Sequence, residues 1–344
     1  MIRPDDGLSY PFADPPGRGE ATEVAPGILW LRLPLPMALD HVNTFALDEG
    51  DGWTLIDTGI DTPDCRGAWD MLLSGPLAGR QVRRVLVTHH HPDHVGLAGM
   101  FVAGGAELLM PRTGWLTTRM LCLDAQDRPS HAALTLMRLA GTTTDEVARR
   151  AEERPFNMAD LVAPLPPTYT RIADGDVLRL GGRDWRVRMG EGHAPEHATL
   201  WSDGLVLAGD QVLPGISPNL GVWPSEPAAD PVGAFLTSCA ALAVNADPAD
   251  LILPGHKRPF RGMPARLAAL IAHHHAALDR LQAALDTPRT ALACMAPLFG
   301  RVIGGTEAGL ALAETLAHLN HLQAKGRAFR HVGADGAWVW QARP

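Results

Sequence analysis

Four histidines and one aspartate fall within six residues, His89-His90-His91-Pro92-Asp93-His94. Imidazole nitrogens and carboxylate oxygens suit zinc, and also iron or manganese. The run follows Arg83-Arg84-Val85-Leu86-Val87-Thr88, which reads as a strand, and precedes a stretch from His94 to Ala103 that reads as a helix. Alternation along extended backbone sends His89 and His91 to one side and His90 to the other. Asp93 and His94 follow in the turn into the helix. Such a corner offers two neighbouring metal positions rather than one, and four local side chains cannot complete both.

Three further candidates each lie at or just past the end of a β-like run. His193 sits in Gly192-His193-Ala194-Pro195-Glu196-His197, Asp210 ends Leu207-Ala208-Gly209-Asp210, and His256 ends Leu253-Pro254-Gly255-His256. Loops held by a rigid sheet are where ligating and reacting side chains concentrate.

The ordered set Asp57, the His89 cluster, His193, Asp210 and His256 resembles the metallo-β-lactamase superfamily. The resemblance covers about Ala25 to Pro264. It implies a fold of α/β (α+β) class, an αββα sandwich with the site at one edge between two sheets. It also implies that His89, His91 and His193 hold a first metal and that Asp93, His94 and His256 hold a second. Asp210 would bridge them, and Asp57 would orient the site from behind the ligands. Two divalent ions are therefore expected, zinc first, with iron or manganese as alternatives. Two such ions about 3.5–4 Å apart can share a water and lower its pKa. The resulting hydroxide would attack a carbonyl or phosphoryl centre. His89, His91, Asp93 and Asp210 would surround the reaction, with Asp93 orienting the hydroxide.

The Gly-His-x-x-x-His spacing of His193 and His197 resembles glyoxalase II-like members. With Asp210, it points to a small ester-like substrate such as a thioester or lactone. His197 and His41 are read as structural first, with substrate contact as the alternative. A nuclease is the second reading, because one nuclease branch carries a winged-helix-like tail. A β-lactamase is third, since lactamases of this superfamily generally lack the bridging aspartate. Diiron redox relatives usually replace the second histidine with glutamate, whereas His91 is intact. A non-enzymatic binding protein would predict a damaged ligand set, and none of the expected residues is missing. The tail lacks residues associated with glutathione binding, which argues against a true glyoxalase II.

The elements that must position these residues are legible in outline. Ile28 to Leu33, Thr44 to Leu47, Trp53 to Asp57, Val177 to Leu180, Trp185 to Arg188, Ala198 to Trp201, Leu205 to Ala208 and Leu251 to Pro254 read as strands. A helix is expected from Asp64 to Ser74. Three short helices, Arg112 to Leu123, His131 to Leu139 and Thr144 to Glu153, look like an insertion. Trp115, Met120, Leu121 and Met137 would line a substrate lid or form the insertion's own core. From Ala265, three helices and the hairpin Phe329 to Trp340 resemble a winged-helix module. The expected organisation is an arm over 1–24, a catalytic domain over 25–264 with an insertion at about 112–160, and a small domain over 265–344. His273-His274-His275 is expected on a solvated helix face.

The chain has 344 residues and a formal charge of −8. An acidic chain lacks global attraction for phosphate backbones, which disfavours nucleic acid as a partner. Glu307 to Gln323 carries no Lys or Arg, so packing or homodimerisation is the expected role of that helix. Neither a signal peptide nor a run of membrane-spanning length is recognised, and Cys65, Cys122, Cys239 and Cys294 form no CxxC pair. The expectation is a cytoplasmic protein with reduced thiols that acts on a small molecule.

Overall fold

The computed structural model describes residues 7–343, which divide into two compact units. The first contains the chain up to Ala125, Asn157–Pro218 and Ala241–Leu267. Its larger sheet runs in the order β1 (Thr22–Ala25), β2 (Ile28–Pro34), β3 (His41–Asp48), β4 (Gly52–Ile56), β5 (Gln81–Leu86), β6 (Glu107–Pro111), β7 (Thr170–Ile172). Pairing is antiparallel as far as β4 and parallel from β4 to β7. The second sheet contains β8 (Val177–Leu180), β9 (Arg183–Gly190), β10 (His197–Ser202), β11 (Leu205–Gly209) and β12 (Leu251–Pro254). Its neighbours are antiparallel except for the parallel pair β11 and β12.

Period-two alternation sorts the side chains of the larger sheet onto two buried faces. Trp30, Phe45, Ile56 and Leu86 share one core cluster with Trp185, Val187, Leu200, Leu207 and Leu253 of the second sheet. Leu31, Ala46, Leu55 and Val85 turn the other way. They join Cys65, Trp69 and Leu72 of α1 (Pro63–Ser74) and Ala98 and Phe101 of α3 (Ala98–Ala103). Burial on both faces accounts for the short apolar stretches at 45–47 and 85–87. The result is the expected α/β sandwich.

The helix expected from His94 to Ala103 arrives as two pieces, α2 (Pro92–Val95) and α3. The pieces meet at Gly96 and Leu97, where the backbone of Leu97 leaves helical geometry at ψ 7°; only glycine fits at 96, since a Cβ would come within 2.4 Å of Pro92 O and 2.5 Å of Gly59 O. Strands β1, β6 and β7 lie outside the expected set. β6 passes directly into α4 (Arg112–Leu123) with no turn residues between them to mark its end.

The second unit contains Gln126–Phe156, Asn219–Ala240 and the chain from Ala268. It holds α5 (His131–Leu139), α6 (Thr144–Ala151), most of α7 (Pro231–Ala243) and of α8 (Met263–Ala284), α9 (Ala291–Phe299) and α10 (Ala308–Ala324). The hairpin of β13 (Ala328–Val332) and β14 (Trp338–Ala342) completes it. Ser130, Thr143 and Thr290 cap α5, α6 and α9 through their hydroxyls, satisfying first-turn N–H groups.

His274 corrects the expectation of a solvated histidine tract, because it is fully buried. Consecutive helical residues point about 100° apart, so the three side chains part company. The His274 ring packs on Phe235 and stacks against His318. The Nδ1–H of His318 donates to Glu314 O at 2.8 Å. Its Nε2 therefore accepts from His274 Nδ1 at 3.1 Å. Burial, helped by His318, pushes the His274 pKa down from 6.5 to about 2. Below pH 6.5 the unfolded chain takes up a proton that the folded chain refuses, so stability falls as the pH drops through that window. His274→Gln should lessen this loss by about 1.4 kcal/mol per pH unit. Urea unfolding of both proteins between pH 7 and 5 measures it, and equal slopes would contradict the assignment.

Candidate metal centre

Each element of the first unit delivers its side chain at a strand end. β5 ends at Leu86 and the chain runs through Thr88, His89 and His91 into α2, whose N-cap residue is His91. β9 leads to His193, β11 to Asp210 and β12 to His256. The seven side chains named from the motifs fall into three groups: His89, His91 and His193; Asp93, His94 and His256; and His89, His94 and Asp210. Within each group, the candidate ligand atoms lie within 4.8 Å of one another. The third group shares His89 with the first and His94 with the second, and adds Asp210 between them. Its Oδ2 lies 3.6 Å from His193 Nε2, 3.4 Å from His94 Nε2 and 3.1 Å from His256 Nε2. Asp93 Oδ2 lies 3.6 Å from His94 Nε2 and 3.3 Å from His256 Nε2. His90 belongs to none of the three groups.

Hydrogen bonds behind the ligands select which nitrogen faces inward. Asp57, with φ at 61°, accepts from Thr88 N–H, the Thr88 hydroxyl and His94 Nδ1, each at 2.8 Å. The Thr88 hydroxyl oxygen accepts in turn from His89 Nδ1 at 2.9 Å. His256 Nδ1 donates to His41 O at 2.7 Å. These bonds leave Nε2 of His89, His94 and His256 facing the centre, and such outer partners raise the basicity of a ligating imidazole.

The electrostatics separate two kinds of histidine. Burial and neighbouring imidazoles hold His89 and His91 well below 6.5. Burial also works against His256, but Asp210 and Asp93 outweigh it and push its pKa up to about 10. His94 is raised likewise, with Asp210, Asp93 and Asp57 overcoming burial. Asp210 is itself held well below its ordinary range despite burial, through His256 and His94.

The donor set fits divalent cations. His94 Nε2 and Asp210 Oδ1 are buried without a hydrogen-bond partner among the described residues. A lone buried carboxylate oxygen is costly unless a proton or a cation satisfies it. Packing around it is close. A Cβ on Gly255 would meet Asp210 Oδ1 at 2.2 Å and His94 Cε1 at 2.8 Å.

The two histidines named as structural or substrate-contacting are both buried. His197 stacks on His89 with ring centroids 4.4 Å apart, and its Nε2 accepts the Asp210 N–H at 3.0 Å. His41 Nε2 accepts the Lys257 N–H at 2.9 Å, while its Nδ1 lies 2.6 Å from Asp40 Oδ1. Burial pushes His197 down to about 3 and His41 to about 4. Asn43 was not among the residues singled out from the sequence. An amide in the β-like stretch 42–47, polar only at Asn43 and Thr44, was the available signal.

Residues 37–256 match the family model described as Metallo-beta-lactamase superfamily, and residues 278–343 match Metallo-beta-lactamase-like, C-terminal domain. The chain belongs to the metallo-β-lactamase superfamily. A beta-lactamase domain protein from Burkholderia ambifaria is 38% identical, with a TM-score of 0.88 over 98% of this chain and 97% of the other. A metallo-beta-lactamase family protein from Thermus thermophilus is 31% identical, with a TM-score of 0.79 over 93% and 100%. The "Probable metallo-hydrolase YqjP" of Bacillus subtilis (strain 168) is 26% identical over 311 residues, 87% of this chain and 92% of that one. Within the superfamily this chain is a metal-dependent hydrolase. Among the described residues, no helix is long and apolar enough to cross a membrane.

Proposed function

We propose that the chain hydrolyses a small ester-like substrate, a thioester, lactone or related acyl compound, at a dinuclear centre. The observation that carries this reading is the linkage of two three-residue groups through Asp210. His89, His91 and His193 would hold one cation, Asp93, His94 and His256 the other, and Asp210 both. When bound, a pair of divalent ions supplies Lewis-acid polarisation and a water acidic enough to act as a nucleophile near neutral pH. The preferred metal is zinc, on the strength of the nitrogen and carboxylate donors, with iron or manganese as alternatives.

The chain's own residues do the rest. Asp57 fixes the tautomer of His94 and, through Thr88, the orientation of His89. His197 pins the Asp210 backbone and packs flat on His89. Asp93 is the carboxylate available to orient the attacking water. Net acidity, −8 over the chain, supports a small substrate over a polyanion. The winged-helix-like tail is assigned to packing or self-association, and a cytoplasmic setting is consistent with four free cysteines.

A panel of thioesters, lactones, β-lactams and RNA, run with the zinc-loaded protein, tests the substrate class. The expected result is turnover of a thioester or lactone. Cleavage of RNA or a β-lactam with no acyl ester hydrolysis would overturn it.

A further inference from the structure

We propose that Asn43 is the positioning residue for His256, acting from β3 on the turn Pro254 to Lys257 and so governing the second cation alone. The inference rests on the dinuclear reading above.

The Asn43 side chain is 1% exposed and uses its polar atoms on three partners. Its Oδ1 accepts the indole N–H of Trp30 at 2.9 Å. Its Nδ2 donates to Pro254 O at 2.9 Å and to Lys257 O at 2.8 Å. Its backbone N–H donates to Gly255 O at 2.6 Å. The amide orientation follows from chemistry. Rotated by half a turn, it would set an oxygen against two carbonyl oxygens and an amide nitrogen against an N–H donor.

Two residues back on the same strand, His41 supplies two more contacts. Its carbonyl accepts His256 Nδ1–H, and its Nε2 accepts the Lys257 N–H. Five bonds from Asn43 and His41 thus fix a turn of four residues. Lys257 sits within it at φ 69°. A non-glycine residue in that region is strained and persists where its surroundings over-determine it. Here Lys257 is held at its N–H by His41 and at its carbonyl by Asn43.

The consequence is selective. His256 belongs to the group with Asp93 and His94 and not to the group of His89, His91 and His193. Loosening the turn moves Nε2 of His256 away from Asp210 and Asp93 while leaving the first group in place.

The test is a two-step titration of the full-length metal-free protein with Zn2+ against a competing chelator. It covers wild type, Asn43→Asp, Asn43→Ala and the control Leu47→Ala. Asn43→Asp keeps the volume but sets a carboxylate against two carbonyl oxygens. Leu47 is fully buried at the other end of β3, so its truncation lowers the melting temperature without touching the turn. In both Asn43 variants the second Zn2+ should bind about 10–100-fold more weakly, the range found for partners behind the ligands. The first step should stay within about 3-fold of wild type, and Leu47→Ala should keep the wild-type ratio of the two steps. If the Asn43 variants do not fold, Trp30→Phe, which removes the N–H that orients the amide, should weaken the second step alone. An unchanged second step overturns the proposal, and so does equal weakening of both steps or the same change in Leu47→Ala. Uptake of one Zn2+ by wild type would instead overturn the dinuclear reading on which it stands.

Discussion

Asp210→Ala should reduce hydrolysis to background, with affinity for each cation falling by about 100-fold or more. Asp210 lies between the two groups, within 3.1–3.6 Å of His256, His94 and His193. Mutating a partner behind a ligand already costs about 10–100-fold in metal affinity or activity, and a ligand common to both positions costs at least as much at each. The same substitution should also destabilise the metal-free protein, because it strips His256 and His94 of the carboxylate that balances them. Relief of the buried Asp210 carboxylate from desolvation is outweighed there, since His256 and His94 hold it well below its ordinary range despite burial. The melting temperature of the metal-free variant should fall below that of the metal-free parent, and the parent should gain far more on adding zinc. Hydrolysis retained within 10-fold of wild type would place the chemistry elsewhere.

Metal removal should have the second large effect. Bound cations stabilise the folded state by mass action, by about 4 kcal/mol at 1,000 times the dissociation constant. For a domain of roughly 150–250 residues this corresponds to about 8–16 °C in melting temperature. The stripped site loses the cations that offset its charges. Asp210 and Asp93 raise the pKa of both His94 and His256, and Asp57 adds to the effect on His94, so protons compete for these nitrogens. The difference between loaded and stripped protein should shrink on acidification, since cations must displace those protons and compete better as the pH rises. Thermal melts before and after chelation, with residual metal assayed, measure it. An unchanged melting temperature in protein shown to be metal-free would contradict the account.

What the sequence revealed and what it hid follow from the range of the interactions. The candidate ligand side chains were legible because each lies at or just past the end of a β-like run, and the local pattern marks both strand and terminus. Strands β11 and β12 were legible because burial on both faces leaves continuous Val, Ile and Leu. β6 was not, since Glu107–Pro111 runs directly into α4. Helix α7 was missed because its small apolar residues carry no clear helical stripe.

Side chains that act at long range were the least legible. Asn43 reaches partners 211 and 214 residues away, and no local pattern announces that contact. His274 looks like one of three solvated histidines until His318, 44 residues on, is placed against it. The grouping of Gln126–Phe156 with Asn219–Ala240 and the chain from Ala268 is likewise a product of folding. Asp57 was legible only through the order of motifs. Its left-handed backbone and three hydrogen bonds show why that position matters.

The central claim, two cations on one shared carboxylate, is tested most directly by counting them. Elemental analysis of the full-length protein, saturated with zinc and freed of excess, should give two zinc ions per chain. It should give fewer than two for Asp210→Ala under the same conditions. A wild-type value of one or none would contradict the account.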